Sequence, residues 1–220
     1  KSINNKKRRY ENSVFFLSIG RHGAYFETND FFCTFAKFFL KRNMQEDYSF
    51  FDKNVIEFVR VSAEYCNTID NLSSLDKQQF IDRMLKLLPL LYLKAEMLQL
   101  EESENDVMLE TFVSEVHYNH VLNQVASLLA EDDRYIEVFT AGIEFSEEGV
   151  AQDISEQIAD IYQDLKNLIC RFQGGLQEVM KASVEETVSS YRAYWGQRLV
   201  NALRALHHVK YKESLNNLIL

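Results

Sequence analysis

The chain has 220 residues, of which 46% are hydrophobic and 26% are charged, so it can bury a core. Seven Gly residues and a single Pro, Pro89, are too few for a sheet-rich fold with many tight turns, and they favour helices. No apolar run reaches the ~18 residues of a membrane-spanning helix, which argues against a membrane protein. The net charge of −9 disfavours general binding to nucleic acid, because phosphate repels an acidic surface.

Cysteine usage indicates a reducing compartment. The chain has three Cys residues, Cys33, Cys66 and Cys170, and no Cys-x-x-Cys pair. This set fits neither a disulfide framework nor a zinc knuckle. We therefore predict free thiols, with Cys66 in the core, and a cytoplasmic protein.

The first 43 residues differ in composition from the rest of the chain. They hold nine of the 24 Lys and Arg residues, three of the 33 Asp and Glu residues and eight of the 16 Phe residues. Their apolar residues follow no sustained helical period. Two interpretations stay open: Met44 is the natural start and residues 1–43 are upstream sequence, or residues 1–43 form an arm over the domain. Residues 44–220 are predicted to form a single helical domain.

The next part of the chain predicts two helices. The first covers about 52–70 behind a cap at Ser49 or Asp52. After a turn, the second begins at the cap Asp76 and continues to about Leu98. It carries two apolar stripes, which favour a central position in the bundle, and Pro89 inside it predicts a kink or a break.

An acidic loop at 101–106 precedes the later helices. Ser114 caps a helix to about residue 130, and a short helix is expected near 132–141. Ser146 is expected to begin a long helix, because acidic residues follow it and stabilise a helix N-terminus.

The last two predicted helices are long. The fifth ends at Gly174–Gly175, as helices commonly end on a left-handed Gly. The last covers about 176–208, with Trp195 inside its apolar stripe and Gly196 explained by the close approach of a neighbouring backbone. Helices joined by so short a turn should pack as a hairpin. We predict an all-α antiparallel bundle of about five to six helices that ends in this long helical hairpin and contains no sheet.

Three strings of the chain are distinctive: Leu87–Ala95, Ala159–Lys166 and Tyr194–His207. Together they resemble family 5063 of bacterial domains of unknown function, over about residues 50–211. The resemblance implies an all-α fold. It implies no established activity, so no catalytic residue is transferred from the family, and residues 1–43 lie outside it.

A pair of histidines has a spacing that metal ligands use. His117 and His120 are three residues apart and share one helix face. A site would need further ligands, for which Glu110 and Glu115 are the candidates. Two ligands alone do not hold a metal, so we predict surface histidines, no metal and no other cofactor.

Charged residues flank the stripes of the two long helices. Asp160 and Asp164 lie beside the stripe of the fifth helix, and Arg192 and Arg198 flank the stripe of the last. Pairing of these helices would bring Arg to Asp at the rim of the contact. We predict a structural ion pair that fixes the register of the helices and adds little stability.

Four polar residues, Gln197, Asn201, Arg204 and His208, follow one another at spacings of four, three and four along one face of the last helix. This polar row can bind a phosphate or the backbone of a partner, or it can be solvated surface. It is the predicted binding site, because burial does not explain its polar residues. If Arg204 is a surface residue, Arg204→Ala is expected to change the free energy of unfolding by no more than about 0.5 kcal/mol.

No Ser-His-Asp, Gly-x-Ser-x-Gly or phosphate-loop motif is present, so no catalytic residue is assigned. The leading hypothesis is a non-enzymatic bundle that binds an unidentified protein, with self-association as a variant. The alternative is an enzyme or a nucleic-acid-processing factor that works through the polar row. A solvent-open basic cleft at Arg198 and Arg204 would favour the alternative, and an exposed apolar patch would favour protein binding.

Overall fold

A computed structural model of the protein describes residues 51–98, 107–137 and 149–219. The helices are α1 (Lys53–Asp70), α2 (Lys77–Glu96), α3 (Glu115–Leu129), α4 (Ile154–Gln173), α5 (Gln177–Ser190) and α6 (Gly196–Ile219). A π-helical turn, Tyr191–Trp195, joins α5 to α6 without interruption, and 3₁₀ turns occupy Leu72–Ser74 and Ala130–Asp132. The predicted all-α bundle is confirmed. The interpretations of residues 1–43, the cap at Ser49 and the acidic loop at 101–106 concern residues outside this description.

Short polar side chains start the first three helices, as their sequence positions predict. Asp52 accepts a hydrogen bond from the amide of Val55 at 2.9 Å. Asp76 and Gln79 form a reciprocal capping box at the start of α2. Ser114 accepts from the amide of His117 at the start of α3. Each cap satisfies amides that have no partner within the first helical turn.

Helix α4 occupies the centre of the bundle, whereas the sequence predicted a central position for α2. It packs against α1, α3, α5 and α6, whereas α2 packs mainly against α1 and α6. The predicted apolar stripe of α4 is buried, and it consists of Ile154, Ile158, Ile161, Leu165, Leu168 and Phe172. Ala159 and Tyr162, which lie outside that stripe, are buried as well. A helix with buried residues on several sides occupies the core. Because α4 packs against both α5 and α6, the predicted hairpin of long helices is present.

Pro89 does not break α2, which continues from Lys77 to Glu96. The end of α4 agrees with the prediction: Gly174 follows the last helical residue, and Gly175 has a φ of +69°, in the left-handed region that favours glycine. In the described residues, no helix is long and apolar enough to cross a membrane.

The prediction of no sheet is wrong. The short helix predicted near 132–141 is also wrong as far as Glu137, where the structure has a strand, and residues 138–141 lie outside the described ranges. Strands β1 (Arg134–Glu137) and β2 (Val150–Asp153) pair antiparallel, with Arg134 opposite Asp153 and Glu137 opposite Val150. Gly149 fits against this pair, since a Cβ there would lie 2.2 Å from a methyl carbon of Ile136.

The start of α4 is also later than Ser146, a residue outside the described ranges. The structure places the first helical residue at Ile154. Asp133, which precedes β1, accepts from the amide and the hydroxyl of Ser155 at 2.8 and 2.7 Å. A capping carboxylate that is distant in sequence therefore fixes the helix start, and local sequence does not reveal it.

Candidate functional site

The predicted polar row on α6 does not form a continuous open surface. Gln197 is exposed and donates to the amide oxygen of Asn201 at 2.7 Å, but Asn201 itself is buried. Arg204 donates to the carbonyl of Ile136 in β1 at 3.0 Å. Its guanidinium also lies 3.9 Å from the carboxylate of Glu137, which is buried. The last member of the row, His208, is exposed.

Asp160 is the centre of a polar cluster that joins three parts of the bundle to α4. One carboxylate oxygen accepts from the hydroxyl of Tyr118 on α3 at 2.8 Å. The other accepts from the hydroxyl of Tyr194 in the π-helical turn at 2.7 Å and lies 3.4 Å from Nε of Arg198 on α6. The guanidinium of Arg198 also stacks on the ring of Tyr194, 5.0 Å from its centroid.

The tyrosines near α6 are poorly suited to proton transfer at neutral pH. Burial, together with the carboxylate of Asp160, raises the pKa of Tyr118 and that of Tyr194. Burial and the nearby Glu137 raise the pKa of Tyr135 to about 12. A general acid or base works best when its pKa is close to the operating pH. Tyr118 and Tyr194 instead donate hydrogen bonds to Asp160, and these bonds link α3 and the π-helical turn to α4.

The four charged residues predicted at the helix rim do not form one group. Arg198 lies next to Asp160, whereas Arg192 donates to the carbonyl of Leu98 at 3.4 Å. Asp164 accepts from the hydroxyl of Ser190 at 2.8 Å. Burial raises the pKa of Asp164, and the negative charges of Glu186 and Asp160 add to this effect.

The π-helical turn explains the Trp-Gly pair of the last string. Trp195 is completely buried, as its place in the stripe predicts, and its indole N–H donates to the carbonyl of Thr187 at 3.0 Å. A Cβ at Gly196 would lie 2.6 Å from the carbonyl oxygen and 2.9 Å from a ring carbon of Tyr191. The backbone that approaches Gly196 is thus that of Tyr191, one π-helical turn earlier in the same continuous helix, and not that of a neighbouring helix as predicted.

The two histidines lie in different surroundings. Nε2 of His117 is 3.2 Å from the hydroxyl of Tyr162, which donates to Asp70 at 2.6 Å. His120 lines a shallow groove between α3 and the turn at Leu72–Ser74. Within the described parts of the chain, no three His, Cys, Asp or Glu residues are grouped so that they could hold a metal ion. The backbone carbonyl of Glu110 accepts from Arg171 at 2.7 Å, and Glu115 begins α3.

The two described cysteines are free thiols. Cys66 is buried, as predicted for a core residue, and Cys170 is half-buried. Burial raises the pKa of both thiols. Since the thiolate is the reactive form, neither Cys is activated as a nucleophile. Cys33 lies outside the described residues.

Sequence analysis missed an exposed apolar surface on α2, hereafter the α2 face, formed by Pro89, Leu90, Leu93 and Met97. Leu93 is 54% exposed, Leu90 40% and Met97 41%, and Pro89, which precedes Leu90, is also exposed. Spacings of three and four residues place Leu90, Leu93 and Met97 on one side of the helix. A sequence signal for this surface exists, because every residue of the string Leu87–Ala95 except Lys94 is apolar or aromatic, which is more than two buried stripes require.

The fold and these contacts define a helical-bundle domain without a recognisable catalytic centre in the described residues. The family model described as "Domain of unknown function (DUF5063)" matches residues 49–212, and the chain belongs to this family. The crystal structure of protein BF1032 from Bacteroides fragilis is similar to this chain, with 46% sequence identity and a TM-score of 0.66. That similarity covers 73% of this chain and 94% of the other. No curated protein matches the chain.

Proposed function

We propose that this domain is a non-enzymatic module that binds another protein through the α2 face. The observation that carries the proposal is the exposure of Leu90, Leu93 and Met97 side by side on one helix. Large apolar side chains that are exposed as a contiguous group are typical of sites where proteins associate. Scattered exposed apolar residues are ordinary, whereas a row on one helix face offers a partner a continuous surface.

The energetics favour covering this surface. Complete burial of a Leu or Met side chain contributes about 1.5–3 kcal/mol. The three residues are about half exposed, so a partner would gain roughly half of that from each of them. Apolar anchors of this size at the centre of a contact are enough for a specific, reversible complex when polar groups at the rim are also satisfied.

The alternative, catalysis or nucleic-acid processing through the polar row, has less support. Arg198 interacts with Asp160 and Tyr194, and Arg204 interacts with Ile136 and Glu137. These contacts compete with phosphate for both guanidinium groups, and the neighbouring carboxylates repel an anion. We also propose a cytoplasmic location, since the described cysteines are free thiols.

The experiment compares tagged full-length protein with Leu93→Glu and Leu176→Glu variants, each purified from its native host. Leu176 is a matched control, because it is 66% exposed and lies in the turn between α4 and α5. We expect a protein that co-purifies with wild type and with Leu176→Glu to be lost from Leu93→Glu. Equal recovery with all three forms would contradict the proposal, provided that their melting temperatures agree.

A further inference from the structure

The charges next to the α2 face make that face complementary to itself. Lys86 is exposed four residues before Leu90, and Glu96 is exposed next to Met97. From the described residues, the carboxylate of Glu96 accepts a hydrogen bond of the hydroxyl of Tyr191 at 2.8 Å, and a carboxylate can accept several. A basic end and an acidic end therefore border a common apolar centre.

Helix geometry places these charges symmetrically about the apolar residues. The midpoint between Leu90 and Leu93 lies about 8 Å along the helix from Lys86 and about 7 Å from Glu96. A second helix that docks antiparallel about this midpoint brings its Leu93 opposite Leu90. The same docking sets its Glu96 beside Lys86, and two-fold symmetry repeats each contact.

We propose that the occupant of the α2 face is a second copy of this chain, held by two-fold antiparallel docking of α2 on α2. This inference rests on the proposed function, because it names the partner of the same surface. An interface centred on one helix is smaller than the ~800 Å² per partner of a standard stable complex. We therefore expect a reversible dimer whose population rises with the concentration of the protein.

The test measures the molar mass of the full chain by light scattering after gel filtration, from about 1 to 100 µM. Wild type is expected to rise from the 25.8 kDa of one chain towards twice that mass. Lys86→Glu sets Glu against Glu in both symmetric contacts and is expected to raise the dissociation constant about tenfold or more. Lys86→Arg keeps the charge and should dimerise like wild type.

Mixing variants tests the antiparallel register itself. Lys86→Glu and Glu96→Lys each place like charges together in a homodimer, but one copy of each places opposite charges together at both ends. The mixture is therefore expected to form heterodimers at concentrations where neither variant dimerises alone. If Glu96→Lys does not fold, the comparison of Lys86→Glu with Lys86→Arg carries the test.

Three results would overturn the proposal: a wild type that keeps the mass of one chain at 100 µM, a Lys86→Glu variant that dimerises normally, or a mixture that stays monomeric. If wild type is monomeric but a different protein is lost from Leu93→Glu in the purification, the second copy is wrong and the docking surface stands. If wild type is monomeric at 100 µM and Leu93→Glu recovers the same proteins as wild type in the purification, both proposals fail.

Discussion

Replacement of Gly196 by Ala separates the π-helical turn from an ordinary helix. In a regular helix interior, Gly→Ala stabilises by about 1 kcal/mol. Here the added Cβ would lie 2.6 Å from the backbone oxygen of Tyr191 and 2.9 Å from its ring. Real Cβ atoms do not approach other atoms so closely, and a backbone oxygen cannot move aside as a flexible side chain can.

The magnitude follows from these two opposing effects. Overpacking costs about 1–3 kcal/mol, and contact with a backbone atom belongs near the upper end of that range. After subtraction of the helix gain, Gly196→Ala should destabilise by about 2 kcal/mol. Ala193, exposed within the same turn, offers the reciprocal control: Ala193→Gly should cost about 1 kcal/mol.

Urea unfolding followed by circular dichroism measures both effects. A loss of about 2 kcal/mol lowers the midpoint by roughly 1 M. Trp195 is the chain's single Trp and precedes Gly196, so its fluorescence reports whether the turn has rearranged. A midpoint that rises in Gly196→Ala, as it does for an ordinary helical Gly→Ala, would contradict a clash at this position.

Three further predictions concern single residues. Trp195→Ala should cost about 3–5 kcal/mol in the same urea assay, because it empties a fully buried site. Arg204 contacts Ile136 and the buried Glu137, so Arg204→Ala is expected to lower the free energy of unfolding by about 1–3 kcal/mol. A change below about 0.5 kcal/mol would show that these contacts contribute nothing. The raised pKa of Asp164 means that the folded state binds this proton more tightly than the unfolded state does. This group therefore adds stability as the pH falls through its raised pKa, and it costs stability at neutral pH. Asp164→Asn should accordingly raise the melting temperature more at pH 7 than at pH 4, and equal shifts would contradict this.

Local signals predicted the parts of the fold that depend on neighbours in sequence. The caps Asp52, Asp76 and Ser114 bind amides three residues away, so the pattern and the contact lie within one turn. The apolar stripes of α4 and α6 likewise identify the buried sides of long helices. These features suffice for the fold class and for the burial of Trp195.

Features decided by distant contacts could not be predicted. Strands β1 and β2 pair although they are well separated in sequence. The start of α4 depends on Asp133, which lies 22 residues before Ser155. The polar row was predicted from spacing alone, and spacing could not reveal that Arg204 makes a hydrogen bond to β1. The α2 face became evident only when α4, and not α2, occupied the centre of the bundle, which left Leu93 towards solvent.

The most direct test of the α2 face is photo-crosslinking in the cells that produce the protein. A photoreactive amino acid replaces Leu93 in one variant and Leu176, which is more exposed than Leu93, in the other. We expect one discrete crosslinked species from position 93, identified as a second copy of the chain by mass spectrometry, and none from position 176. The absence of a crosslink at position 93, or the same products from both positions, would contradict this expectation.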